Sequence, residues 1–352
     1  MSHIPRAFLG SCLIGLLCLA LAALYGWQSI HALGPTLDVV WIVLVLAMLE
    51  VSLSFDNAVV NAAILADFDE VWRARFLTWG MAVSVLGARV LFPLAIVGFS
   101  AGLGPIDAVT LSLAEPARYE AIMHSAHASI AGFGGAFLIM VGMGFFLDEE
   151  KHTHWLGWVE RRLKALGGLR AAELALPLIL LAALAHGLPF DQAARFLIAG
   201  LTGLIAFTLM ESLGTWLESR QTRRGLESRQ LAGRGMAQAG LAGFLYLNLL
   251  DTSFSLDGVV GAFALSNNMV VIALGLTIGA LFVRSLTLVL VEQGSLQSYL
   301  YLEHGAFWAI TVLGVIMLLS TRIDIPDMLT GLIGAGFIAA ALISSLVARR
   351  KG

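Results

Sequence analysis

The stretch LEVSLSFDNAVV, residues 49–60, places two acids, Glu50 and Asp56, inside a long apolar run. An ionised acid near the centre of a membrane helix costs roughly 2.5–3.5 kcal/mol, so each of these carboxylates needs a compensating partner or a function. The run around them is otherwise typical of a buried or membrane-spanning helix.

The same pattern recurs later in the chain. The stretch LDTSFSLDGVVGAF starts at position 250 and carries Asp251 and Asp257, six residues apart like Glu50 and Asp56. An offset of 201 superposes the two stretches. The acids are therefore part of a duplicated motif.

The composition defines the surroundings of this motif. Of 352 residues, 59% are hydrophobic and only 13% are charged, with a mean hydropathy of +0.87. A soluble domain is about one-quarter charged, so we predict an all-α, polytopic membrane helix bundle with the lipid bilayer as its partner. No basic tract indicates nucleic-acid binding. Cys12 and Cys18 are too few, and too apolar in setting, for a disulfide scaffold or a zinc site.

The apolar runs predict about ten spans, since a bilayer core needs roughly 20 apolar residues per helix. The predicted spans are 9–29, 38–66, 76–102, 121–147, 172–189, 195–217, 237–265, 268–291, 304–320 and 327–347. Between the third and fourth, a moderately polar stretch predicts an interfacial helix with Pro105 at its start and Pro116 near its end. A cleaved signal peptide is the alternative to a retained first span.

Basic residues indicate the orientation. Lys and Arg concentrate in residues 148–171, in residues 218–236 and at the end of the chain. The positive-inside rule places these segments, and both termini, in the cytoplasm.

The duplication extends to three helices. Gly80 stands nine residues before Arg89, and Gly275 stands nine before Arg284. Five spans separate equivalent starts, so the repeats are inverted. Such repeats are common in secondary transporters, whose substrate sites lie at the repeat interface. We divide the chain into a first span or signal-anchor (1–37), repeat one (38–147), basic cytoplasmic loops with two linking helices (148–236), repeat two (237–320), and a last span with a basic tail (321–352).

Helical geometry groups the polar side chains. At 100° per residue, Glu50, Ser54, Asn57 and Asn61 form one stripe, and Asn248, Asp251, Thr252 and Ser255 form its counterpart. Asp56 lies about 120° from Glu50, so either the helix breaks or there are two subsites. Gly258 permits local unwinding of the helix in the second copy. At the equivalent position the first copy has Asn57, which interrupts a helix less readily than glycine does.

Oxygen ligands suit magnesium, calcium or manganese. We predict Asp56 and Asp257 as central ligands, and Glu50 and Asp251 as flanking ligands or proton acceptors. Ser54, Asn57 and Ser255 would supply neutral oxygens.

The remaining charged groups leave alternatives open. Arg89 and Arg284 balance the charge of an empty site, or form purely structural pairs that lock helices together. His124 and His304, which open matching third helices, serve a proton path, ligate metal or are ordinary core residues. His152 and His154 form a weak accessory metal site or a solvated loop.

The motifs EVSLSFDNAVVNA and DTSFSLDGVVGAF, each followed by a helix with an embedded arginine, resemble the signature segments of TerC-related bacterial membrane proteins, in an uncharacterised branch. The resemblance implies a bacterial cytoplasmic membrane, manganese efflux, metal-site roles for Glu50, Asp56, Asp251 and Asp257, and an amide role for Asn57. In the second motif Gly258 stands where the first motif has Asn57, so ligation by the two motifs would not be symmetric.

We therefore expect a divalent-cation transporter, most specifically of manganese(II), coupled to protons or membrane potential. It would have no fixed cofactor and no enzymatic activity, and its oligomeric state is left open. An accessory protein that binds metal and assists metalation or assembly of exported proteins is the alternative. A membrane enzyme with paired acids would not need inverted halves.

Overall fold

The fold is a bundle of α-helices, as the composition predicts. The computed structural model describes residues 4–66, 68–147, 153–167, 172–222, 240–262, 265–266, 268–292, 299–323 and 325–351. In these ranges there is no β-strand. The helices of the first part of the chain are α1 (Ile4–Ile30), α2 (Leu33–Leu53), α3 (Phe55–Ala66), α4 (Glu70–Arg75), α5 (Met81–Val83), α6 (Phe92–Ala101), α7 (Pro105–Ala114) and α8 (Pro116–Phe146). Those of the second part are α9 (Gly157–Gly167), α10 (Ala172–Ala185), α11 (Phe190–Thr222), α12 (Leu241–Ala262), α13 (Met269–Glu292), α14 (Leu302–Leu319) and α15 (Asp327–Lys351).

Seven helices in the described part of the chain are long and apolar enough to cross a membrane. They lie in α1, α2, α8, α11, α13, α14 and α15, at seven of the ten predicted positions. The other three predicted positions are also helical, but they are not among these seven candidate spans. α10 has only 14 residues, α12 carries the second acid motif, and the third predicted span is irregular.

That irregular span contains two π-helical segments, Phe76–Gly80 and Ser84–Leu91, on either side of the short helix α5. Pro93 lies just beyond the second segment and has no N–H to donate to the carbonyl four residues earlier, which is that of Arg89. Short π-helical stretches are often found at functional sites. The embedded arginine of repeat one therefore stands on a distorted helix.

The first acid motif contains the helix break that the sequence left open. α2 ends at Leu53, Ser54 is its C-cap with φ −98° and ψ 14°, and α3 begins at Phe55. The second motif has no such break, because α12 runs without interruption to Ala262 through Gly258, where the sequence permits local unwinding. A glycine costs only about 1 kcal/mol within a helix, which is too little to break one that is packed on its neighbours.

The predicted interfacial helix forms as α7, with Pro105 in its first turn. Pro116 lies near its end as predicted, two residues beyond Ala114, where it stands in the first turn of α8. Proline favours that position, where its missing N–H would have no partner within the helix.

Contacts between the two predicted repeats occur in matched pairs. α2 packs against α13, and α12 packs against the segment 84–91. α8 packs against α12, and α3 against α14. These are the pairs that a pseudo-two-fold relation between the repeats predicts.

Equivalent third helices, α8 and α14, cross closely through two glycines. A Cβ added at Gly135 would lie 2.8 Å from the carbonyl oxygen of Gly314, and one added at Gly314 would lie 2.9 Å from that of Gly135. Small residues at such crossings let helix backbones approach within a membrane. α8 is also the most enclosed of the candidate spans, and it packs against α10, α11, α12 and α14.

Candidate functional site

Glu50 lies on the last turn of α2, beside the helix break. Its side chain is only 1% exposed. Ser54 donates from its hydroxyl to Oε1 of Glu50 at 2.9 Å, and its N–H donates to the backbone carbonyl of Glu50 at 2.9 Å. The residue at which the helix is interrupted is therefore bonded twice to the buried acid.

Arg89 reaches the same carboxylate from the π-helical segment 84–91. Its Nη2 donates to Oε1 of Glu50 at 2.6 Å and its Nε donates to the same oxygen at 3.2 Å. The arginine is 3% exposed, so both charges are buried. Removing one partner of such a pair leaves a buried charge uncompensated, which is typically destabilising by about 3–5 kcal/mol.

Asp251 brings the second repeat into the same region. It is 5% exposed, and its Oδ1 accepts a hydrogen bond of 2.8 Å from Nδ2 of Asn61 on α3. Arg89 interacts electrostatically with both Glu50 and Asp251. One guanidinium thus interacts with an acid of the predicted repeat one and with the equivalent acid of the predicted repeat two.

Three buried oxygens at this interface have no hydrogen-bond partner among the described residues. They are Oδ1 of Asn61, Oδ1 of Asn248 and Oγ of Ser255. Asn248 and Ser255 share the face of α12 that carries Asp251, and all three residues are at least nine-tenths buried. A buried polar atom without a partner costs about 1–3 kcal/mol, so these oxygens need a function. They are oxygen donors of the kind that a hard cation binds.

The predicted polar stripes are buried, except for Thr252 in the second. In the first, Glu50, Ser54, Asn57 and Asn61 are each no more than 4% exposed. In the second, Thr252 is half-buried and donates to the carbonyl of Asn248 at 2.8 Å. The amides Asn61 and Asn248 lie on the predicted stripes but are not among the predicted ligands, and their buried oxygens add them to the candidate site.

The side chains of the two predicted central ligands, Asp56 and Asp257, lie outside the described residues. Their backbones lie near the start of α3 and near the end of α12. Among the residues whose side chains are described, no three of the types His, Cys, Asp and Glu are grouped so as to hold a metal. Ligation by the four acids together therefore stays a prediction.

Arg284 does not mirror Arg89. Its Nε donates to the backbone carbonyl of Leu77 at 2.8 Å, in the π-helical segment 76–80. Its counterpart acid Asp251 is held by Asn61 instead. The two embedded arginines thus occupy different arrangements in the two repeats.

Packing on the far side of Glu50 is close. A Cβ added at Gly279 of α13 would lie 2.5 Å from Cβ of Glu50 and 2.8 Å from the carbonyl oxygen of Ala47. Only glycine allows α13 to lie against this turn of α2. The acid is therefore enclosed by helices of both predicted repeats.

The described contacts of the two predicted histidines are with residues other than Glu50 and Asp251. His124 is exposed and lies 3.7 Å from Glu120. His304 is buried, and its Nε2 lies 2.8 Å from the carbonyl of Thr153 and 3.7 Å from Oε2 of Glu160. Neither of these contacts involves Glu50 or Asp251, and a proton path through these histidines stays a prediction.

Glu160 forms a second buried polar cluster that the sequence did not reveal. It is 1% exposed, and it accepts hydrogen bonds from the N–H groups of Trp155 and Leu156 and from Nε1 of Trp308. His154 Nδ1 lies 3.6 Å from its Oε2, so this histidine is part of a packed contact rather than of a solvated loop. His152 lies outside the described residues. The basic sequence around Glu160 gave no sign of a buried acid, because its main side-chain partner is 148 positions away.

The helices and the buried polar interface define the class of the protein as an all-helical, multi-pass membrane protein. Within that class the chain belongs to a family of unknown function, DUF475, which it matches over residues 55–352. The match covers the second half of the first acid motif and all of the second. No curated protein and no solved structure matches the chain.

Proposed function

We propose that the protein transports a divalent cation, manganese(II) in particular, out of the bacterial cytoplasm across the inner membrane. The observation that carries the proposal is the pair of buried equivalent acids, Glu50 and Asp251, which both interact with the one guanidinium of Arg89. A transported ion must be met by groups from both halves of the protein if the halves are to move around it.

The chemistry of the surrounding donors supports a hard cation. Carboxylate, amide and hydroxyl oxygens surround the interface, and the buried oxygens of Asn61, Asn248 and Ser255 have no partner among the described residues. Such donors favour magnesium, calcium and manganese over soft metals. The resemblance of both motifs to TerC-related proteins selects manganese and efflux among these.

Asp56 and Asp257 complete the proposed site as central ligands. In this proposal Glu50 and Asp251 flank them, and Ser54, Asn57 and Ser255 supply neutral oxygens. Arg89 and Arg284 adjust the charge when no cation is bound. The cation is substrate, so the site has no permanent metal.

The test is cation flux into inverted membrane vesicles that contain the full chain. Manganese, magnesium, calcium and zinc are supplied separately, each with and without a pH gradient. We expect uptake of manganese by vesicles with the wild-type protein, and loss of that uptake with Asp56→Asn or Asp257→Asn. Size-exclusion chromatography of each purified variant shows that it is folded.

Two outcomes contradict the proposal. Full activity of either variant would show that the site is misplaced. Binding of manganese without flux under any gradient would instead favour the accessory protein that assists metalation or assembly of exported proteins.

A further inference from the structure

We propose that Arg89 is a tethered competitor of the transported cation, bound to Glu50 in this structure and displaced from it when the cation loads. This inference rests on the proposed function and assigns a specific action to one residue within it. A purely structural pair, in contrast, would stay closed throughout the cycle.

The first support is the way in which Arg89 is bound. Two hydrogen bonds from Arg89 and one from Ser54 converge on the single oxygen Oε1 of Glu50. A guanidinium and a metal ion compete for the same carboxylate charge, so Glu50 cannot satisfy both fully. Binding of the cation therefore requires weakening of the Arg89 pair.

The second support is the backbone that carries Arg89. It lies on the π-helical segment 84–91, close to Pro93, rather than on a regular helix. A π-helical turn differs from an α-helical one by one residue in its hydrogen bonding, and local adjustment between the two shifts a side chain around the helix. The arginine therefore stands on a segment that can change its register without unfolding.

The third support is the equivalent arginine of repeat two. Arg284 already donates to a backbone carbonyl, that of Leu77, while its counterpart acid Asp251 is bonded to Asn61. The structure thus contains an embedded arginine in both arrangements, one on its acid and one on the backbone. The released arrangement that we assign to Arg89 has a precedent in the same fold.

The experiment measures binding of Mn²⁺ alone to the purified full chain in lipid nanodiscs, from the electron paramagnetic resonance signal of free Mn²⁺. If the acid is available for about one-tenth of the time, Arg89→Gln increases the apparent affinity about tenfold, because apparent affinity scales with the fraction of competent protein. Arg118→Gln removes an arginine from the exposed pair with Glu115 and is the matched control, with no change in affinity expected.

A conservative variant keeps the test decisive if Arg89→Gln does not fold. Arg89→Lys retains the charge but cannot donate twice to one oxygen in the same planar geometry, so we expect an affinity between those of the wild type and Arg89→Gln. Unchanged or weaker Mn²⁺ binding by the folded Arg89 variants, with a wild type that binds and transports Mn²⁺, overturns the competition alone. Absence of binding and flux for every cation of the panel overturns the proposed function and the inference with it.

Discussion

Arg89 donates to Oε1 of Glu50 from two nitrogens, at 2.6 and 3.2 Å, and both residues are almost completely buried. The pair joins the broken end of α2 to the distorted helix that follows it in repeat one. Asp251 of repeat two lies within the electrostatic reach of the same arginine. The pair is therefore both a structural contact and the charge centre of the candidate site.

This double role predicts a non-additive effect on stability. Arg89→Gln should destabilise the protein by about 3–5 kcal/mol, because Glu50 is left buried without its counter-charge, and Glu50→Gln in the same chain should restore much of that loss. Thermal unfolding of the purified variants in detergent measures both changes. Arg118→Gln, which breaks an exposed pair with Glu115, should change stability by no more than about 1 kcal/mol. Equal effects of the two arginine variants would contradict a buried pair.

A second prediction concerns the close approach of α13 to Glu50. Gly279→Ala places a methyl group against the Cβ of Glu50 and the carbonyl of Ala47, so we expect a loss of about 1–3 kcal/mol in stability and a fall in transport. Gly336→Ala is the control, because nothing lies within 4 Å of its added Cβ on α15. Alanine should be neutral or slightly stabilising there. A tolerated Gly279→Ala would show that the two helices can separate at no cost.

A third prediction concerns the amide that holds Asp251. Asn61→Ala removes a hydrogen bond to a buried carboxylate and one of the oxygens without a partner, so we expect about a tenfold increase in the KM for manganese uptake. Uptake by inverted vesicles at increasing Mn²⁺ concentration measures it. Ser52→Ala, which changes an exposed serine bonded to its own helix, should leave KM unchanged. A KM that is the same for both variants would remove Asn61 from the site.

The position of the site could be predicted from the sequence because it follows from two simple periodicities. The offset of 201 pairs Glu50 with Asp251, and the 100° rotation of a helix groups each acid with its polar neighbours. Ser54, Asn57 and Asn61 of the first stripe are all buried in the structure. Neither inference needs any knowledge of how the helices pack.

The distortions of the helices could not be predicted in this way. The break at Ser54 has no glycine or proline, and the bonds of Ser54 to Glu50 and the packing of Gly279 accompany it. The glycine that looked like a breaker, Gly258, lies within a continuous helix. The contact of Gly279 with this turn joins segments that are far apart in the chain, and a single sequence does not contain such contacts in readable form.

The last prediction concerns the anchor formed by Glu160. Its carboxylate accepts bonds from Trp155, Leu156 and Trp308, and so fixes the basic helix α9 to the start of α14. Glu160→Ala should release this helix and increase the rate of tryptic cleavage at the exposed residues Arg161 and Arg162 by about tenfold or more, because loss of bonds to a buried charge raises the open population.

Inverted vesicles are the suitable sample for this measurement, since the basic loops are predicted to face the cytoplasm. Glu70→Ala, which removes an exposed acid from α4, is the control and should not alter cleavage. In right-side-out vesicles both variants should resist trypsin at these arginines. Cleavage there would reverse the predicted orientation, whereas equal cleavage of the two variants in inverted vesicles would show that Glu160 does not hold α9 in place.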